Sequence, residues 1–274
     1  MSAVGTIARK EVREAISSRW LLLYAAAFAV LALALSYLGQ RNLGSLGFEN
    51  FSRTTASLIN LCLLLAPLIA LSLGAGSIAG ERDRGNLDYL LSQPLHRWEL
   101  LFGKFAGLFV SISVATIAGF GAGGIVIAAF AATMDVMTYL LLLLLVLALV
   151  AVMTGVGILT SVVASTRLQA LGLAMLVWFV AVLLFDLVLI GTISALSLSG
   201  TGLLAVLLLN PLEIVRVLAI MHLEPDLEVL GPFGSYLLQE LGLTMATAVL
   251  AGALVVWAAA PLSLAAWLFR SREA

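Results

Sequence analysis

Residues 136–163 read VMTYLLLLLLVLALVAVMTGVGILTSVV, a run with no charged side chain from end to end. A strand of that length has no precedent in ordinary sheets, and a helix rising 1.5 Å per residue would span ~42 Å. The hydrocarbon core of a bilayer is ~30 Å thick, so the run is long enough to cross it with some tilt or protrusion. A soluble helix keeps one polar face, whereas this one keeps none. The run therefore predicts a membrane-spanning helix. Five further apolar runs of spanning length lie on either side of it, at about 20–38, 57–78, 100–132, 170–191 and 243–269. Pro261 near the end of the last predicts a local kink there, not a break.

Composition agrees with six spans. The 274 residues are 62% hydrophobic and 11% charged, against roughly 45–50% and about 25% in ordinary globular chains. That balance excludes a disordered chain, a nucleic-acid-binding module and a secreted disulfide scaffold. Cys62, the single cysteine, can form no internal disulfide and is expected to be a buried, inert thiol. Of the 14 basic residues, all but Arg41, Arg53 and Arg216 fall on the side that holds both termini and the 80–104 and 164–169 loops. The positive-inside rule makes that side cytoplasmic. The other side carries Glu49, Asp135, Glu213, Glu224, Asp226, Glu228 and Glu240. Ahead of the first span, Val4, Ile7, Ala8, Val12, Ala15 and Ile16 recur at helical spacing opposite Arg9, Lys10, Arg13 and Glu14, which predicts an interfacial helix over 1–19. The first span is too long for a signal-peptide core and is expected to remain as an anchor.

Chemistry of its own is not expected of this chain. No G-x-x-x-x-G-K-[ST] phosphate loop, H-E-x-x-H, C-x-x-C or G-x-S-x-G occurs, so no catalytic residue, metal site or cofactor is assigned. Gly103/Gly107 and Gly119/Gly123 sit four residues apart inside a span, a spacing that lets helix backbones approach closely and is expected to serve packing. Asp186 is the one acid well inside a span and is by that token a candidate functional group, although its place about a turn and a half from the outer end lets it reach an interface or vestibule.

Between the fifth and sixth spans, 192–241 is too apolar for a free loop and is expected to dip back as a re-entrant element. Asn210, Pro211 and Glu213 occupy the N-cap, first and third positions of a helix running to about Leu223, and Arg216 stands one turn past Glu213, in reach of it. Met221-His222 would suit Cu(I) chemically, but adjacent helical residues diverge by ~100° and make a poor chelate.

The segment AGERDRGNLDYLLSQPLHRWELLFGK (79–104) carries charge at both membrane edges around a short helix with Leu87, Leu90 and Leu91 on one face, ended before Pro94. Such a segment suits either a protrusion that inserts into a cytoplasmic partner or a solvated hairpin. Here the chain resembles the permease subunits of ABC-2 transporters: the Gly-Glu-Arg-Asp-Arg-Gly run closing the second span, the Leu-Asp-Tyr-Leu-Leu-Ser-Gln-Pro-Leu after it, and Ala8-Arg9-Lys10-Glu11 with Arg19-Trp20 before the first span. Asn86 and Asp88 stand where the family more often has Thr and Glu. Within the family, Leu46-Gly47-Phe48, Ala66-Pro67-Leu68-Ile69-Ala70-Leu71 and Leu209-Asn210-Pro211 with Arg216 resemble the permeases that serve maturation of nitrous oxide reductase, a copper enzyme.

The resemblance implies one all-α, six-span permease domain over 1–274, with an elbow helix at 1–19, a coupling segment at 80–99 and an outer helical segment at 192–241, in the inner membrane. It implies a second copy of the permease, two cytoplasmic ABC ATPase subunits carrying ATP and Mg, and a periplasmic accessory protein. Glu81, Arg82, Asp83 and Gly85 would position the coupling segment, and Leu87, Leu90 and Leu91 would pack it. Asn210, Pro211 and Arg216 would be candidates for an outer gate. An ABC-2 exporter of other cargo shares these features. An ion-coupled secondary transporter would need midplane ionisable groups or broken-helix repeats, and Asp186 alone answers to that.

Overall fold

The computed structural model describes residues 3–41, 47–92, 96–130, 135–188, 200–223, 227 and 230–272, and among these the chain is all helical, with no strand. The helices are α1 (Ala3–Ile16), α2 (Arg19–Arg41), α3 (Gly47–Asp83), α4 (Leu87–Leu91), α5 (Arg97–Phe130), α6 (Val136–Val163), α7 (Arg167–Phe179), α8 (Gly200–Leu207), α9 (Pro211–Leu223), α10 (Gly231–Tyr236) and α11 (Leu243–Arg272). Six stretches are long and apolar enough to cross a membrane: Arg19–Leu38, Thr54–Asp83, Arg97–Ala129, Val136–Val163, Arg167–Val188 and Leu243–Ser271. Each corresponds to one of the six runs expected from sequence.

Element ends follow local chemistry. Asp135 caps α6, its carboxylate accepting from the Met137 and Thr138 N–H groups, and these bonds with the Thr138 hydroxyl hold its pKa below the usual range. Thr166 caps α7 through the Gln169 N–H, while Gln169 reaches back to the Ser165 N–H. The second span ends later than its apolar pattern does: nothing in Ala79-Gly80-Glu81-Arg82-Asp83 breaks a helix, so α3 continues to Asp83. α11 runs unbroken past Pro261 to Arg272. α7 passes into a π turn at Val180–Leu184, in which the Phe185 N–H bonds Val180 O, and a second π segment covers Leu237–Leu241.

Small residues set the packing. α3 and α6 form the most extensive helix pair. They meet where a Cβ at Gly74 would lie 2.9 Å from Gly157 Cα and from Thr154 O, so only backbone fits between them. α1 lies against α5 over Gly103 and Gly107, where added Cβ atoms would strike Ile7 at 2.8 Å and Ala8 O at 2.7 Å. α2 crosses α5 over Gly119, against the ring of Phe28. The glycine spacing thus serves helix packing, as expected from sequence.

One large apolar core joins α2, α3, α5, α6 and α9, and a smaller cluster of Ile78, Leu87, Leu100, Leu101, Ile158, Val162, Leu262, Ala265 and Phe269 closes one end. Most basic residues gather at that end, where Arg97 donates to the Arg270 carbonyl across 2.9 Å. It is called the basic end below.

Candidate functional site

At the basic end, α3 stops because the chain reverses at Gly85, whose φ of +69° suits glycine. The Gly85 N–H bonds Arg82 O and the Asn86 N–H bonds Glu81 O, both at 3.0 Å, the paired closure of a Schellman end. Gly85 is therefore a turn residue. It returns the chain so that Leu87, only 5% exposed, packs among Ile78, Leu100, Leu101 and Phe269. Leu90 is half-buried, and the Leu91 side chain is outside those described. The leucine face of the short helix thus divides: Leu87 fastens it inward, and Tyr89, 70% exposed, projects outward.

Two sets of contacts hold this turn. On one side lies a charge network. Lys104 of α5, 2% exposed, pairs closely with Glu11 of α1 and stands 3.7 Å from Glu81 Oε1 of α3. Glu81 Oε1 is also 3.6 Å from Lys10 Nζ and 3.2 Å from Arg84 Nη2, and its second oxygen accepts from Asn86. Lys10 further pairs with Glu14 at 3.3 Å. Partial burial works against the Lys10 charge, but the carboxylates of Glu81, Glu14 and Glu11 outweigh it and hold its pKa above the ordinary value. Glu11, Glu14 and Glu81 bring oxygens within 4.8 Å of one another, yet Lys10, Lys104 and Arg84 already supply the counter-charge, so the cluster is an ion-pair network.

On the other side, neutral hydrogen bonds tie the end of α3 to the turn between α6 and α7. Ser161 Oγ accepts from the Ile78 and Ala79 N–H groups at 2.9 and 2.8 Å. Arg82 donates to Ala164 O at 2.5 Å, and Asp83 accepts the Arg167 N–H at 2.8 Å. Arg82 and Asp83, expected from sequence to position the coupling segment, bind the α6–α7 turn of their own chain. Between these holds, a groove of about 670 Å³ runs along α2, α3 and α7, with Leu23, Tyr24, Ile69 and Leu171 on its walls and Glu14, Arg84 and Arg167 at its charged rim.

The opposite end holds a second polar centre. Asn210 is buried, its Oδ1 capping α9 through the Leu212 N–H at 3.1 Å while its Nδ2 donates to Ala181 O at 2.7 Å, inside the π turn of α7. Pro211 follows at the first helical position, buried. Arg216 forks onto Asp186, with Nη1–Oδ1 at 3.0 Å and Nη2–Oδ2 at 3.4 Å, and its Nη1 lies 2.7 Å from Glu213 Oε1. The helix of α7 continues through the π turn to Val188, and Asp186 on this outer extension of α7 meets the gate candidates Asn210 and Arg216 at its contact with α9. Met221 is buried in the core and His222 Nδ1 bonds its own helix at Leu218 O, so the pair shares no ligand position.

Neither Lys104 nor Glu11 was expected from sequence to hold this network. Their signal was a lysine flanked by Gly103 and Gly107, a cation sitting on the small face where another helix must come close.

A bundle of six spanning helices, charged and closely tied at one end and without a nucleotide-binding loop of its own, has the form of a transporter's membrane subunit. The family model described as ABC-2 family transporter protein matches residues 5–274, and the chain belongs to that family. It is similar to a protein named "Probable ABC transporter permease protein NosY" from Pseudomonas aeruginosa, 36% identical over 282 residues and 99% of each chain. A protein of the same name from Stutzerimonas stutzeri is 36% identical over 289 residues, again 99% of each chain. The chain is accordingly an ABC-2 permease subunit, a multi-pass protein of the inner membrane.

Proposed function

We propose that two copies of this permease associate with two cytoplasmic ABC ATPase subunits, which hold ATP and Mg, and that the 80–99 segment receives their motion. The basic end then faces the cytoplasm with both termini, the orientation that the distribution of Lys and Arg favours. The observation that carries this reading is the build of that segment: a turn at Gly85 and a short α4 fastened inward by Leu87, with Tyr89 held outward at 70% exposure. An element so tied to α1, α5, α6 and α7 passes a displacement to most of the bundle instead of absorbing it. No chemistry on this chain is needed, since nucleotide-dependent contact with the partner supplies the difference in free energy between conformations. The outer segment with Asn210, Pro211 and Arg216 serves as re-entrant gate at the other end, and α9, buried on most faces, suits that placement.

The work done serves copper-site assembly of nitrous oxide reductase, either as export or as conformational work on a periplasmic accessory protein. Its support is the NosY name of both relatives, together with the subgroup resemblance at Leu209-Asn210-Pro211 and Arg216.

Charge reversal at Glu81 would tear the buried network and test folding, so Tyr89 is the cleaner probe of coupling. Co-expressed with its ATPase and purified in mild detergent, the wild type is expected to retain stoichiometric ATPase. Tyr89→Asp is expected to fold yet lose most ATPase retention and ATP-dependent maturation. Undiminished retention and maturation in that variant would sink the coupling assignment. A wild-type permease active with a proton gradient and no ATPase would overturn the ATP-driven reading altogether.

A further inference from the structure

The contact between α7 and α9 sets two carboxyl groups against one guanidinium. Arg216 spends its forked bond on Asp186, and Glu213 Oε1 lies 2.7 Å from Arg216 Nη1 but off its N–H direction, so it receives no hydrogen bond there. The Glu213 side chain is only 4% exposed and cannot turn to water for compensation. Both carboxyl groups thus converge on one guanidinium nitrogen, Arg216 Nη1 lying 3.0 Å from Asp186 Oδ1 and 2.7 Å from Glu213 Oε1. Two deprotonated carboxylates on one cation repel and leave an excess negative charge out of water, whereas one bound proton removes both costs.

We propose that Asp186, Glu213 and Arg216 form a proton-binding site, in which one proton held on Glu213 fastens α9 to the outer end of α7. Burial pushes the Glu213 carboxyl up; Arg216 draws it down, the neighbouring Asp186 raises it again, and the balance stands at about 7. The facing groups are Asp186 from α7 and Arg216 from α9 itself. α6 and α8 contain no charged residue, and the described charged side chains of α3 and α11 lie at the basic end. A carboxyl whose pKa is raised on assembly contributes stability fully below its ordinary value of 4.5 and loses it as pH rises through about 7. The α7–α9 clasp is therefore closed in mild acid and weakens in mild alkali, releasing its proton to water at the outer face. It stands on this chain's own groups whether or not the coupling assignment holds.

The test is difference infrared spectroscopy of the purified permease complex, titrated from acid to alkaline pH, with hydrogen–deuterium exchange of α9 beside it. The wild type is expected to show a protonated-carboxyl C=O band that disappears with a midpoint near 7. Glu213→Gln, which keeps the shape and a permanent donor, is expected to lack the band and to protect α9 at alkaline pH more than the wild type does. Asp186→Asn removes the neighbouring negative charge and is expected to move the midpoint down. A band that survives in Glu213→Gln, or a wild-type midpoint in the ordinary carboxylate range, overturns the site. Equal α9 protection in the wild type and Glu213→Gln at alkaline pH overturns the fastening. If Glu213→Gln does not fold, the Asp186→Asn titration decides alone, and an unmoved midpoint refutes the proposal.

Discussion

Lys104 is the fully buried cation of the network, between two acids from two other helices. Lys104→Met would leave buried Glu11 without its cation and Glu81 with only the more exposed Lys10 and Arg84. Removing one partner of a buried pair costs about 3–5 kcal/mol, so the thermal midpoint of the purified protein is expected to fall by several degrees. The swap Glu11→Lys with Lys104→Glu restores the Glu11–Lys104 attraction while placing a second acid near Glu81, and is expected to recover part of the loss. An unchanged midpoint for Lys104→Met would show that the network contributes nothing to stability. In the sequence, Lys104 counts as one more cation on the basic side, because sidedness depends on charge alone while partnership depends on which helices converge. Asp186 and Arg216 were likewise legible as stranded charges of opposite sign within apolar surroundings. Their meeting was not, since 30 residues separate them and only the folded bundle closes that distance.

At the scale of elements, the six spans were legible because apolar length is a strong and local signal. The helix over Pro211–Leu223 was legible from its cap. The π turn at Val180–Leu184 was not, because Val-Ala-Val-Leu-Leu suits an α-helix equally well. Its widened ring leaves Ala181 O for Asn210 and sets the direction of Asp186 one turn later. Deleting Val182 would remove the extra residue that the widened ring holds and let the chain close as an α-helix there, taking Ala181 O away from Asn210. The expected outcome is faster hydrogen exchange throughout α9 with exchange in α3 and α6 unchanged. Unaltered α9 exchange would mean that the turn does not hold α9 through Asn210.

For the whole molecule, the distribution of charge yields a sidedness that can be checked residue by residue. Cys62, the only cysteine, is fully buried, so introduced cysteines can be labelled without background. Leu168 and Met137 are 82% and 74% exposed, at the basic and the opposite end. A cysteine at Leu168 is expected to react with an impermeant maleimide only from the cytoplasmic side, and one at Met137 only from the outside. The reverse pattern would invert the topology and with it the coupling assignment. The seam at Gly74 and Gly157 bears on what such a topology can carry. Backbone there meets backbone at van der Waals contact, with no side chain that could swing aside to admit a passenger. A solute cannot cross between α3 and α6 without pulling the central pair apart, so any conduit must keep to the flanks of that pair.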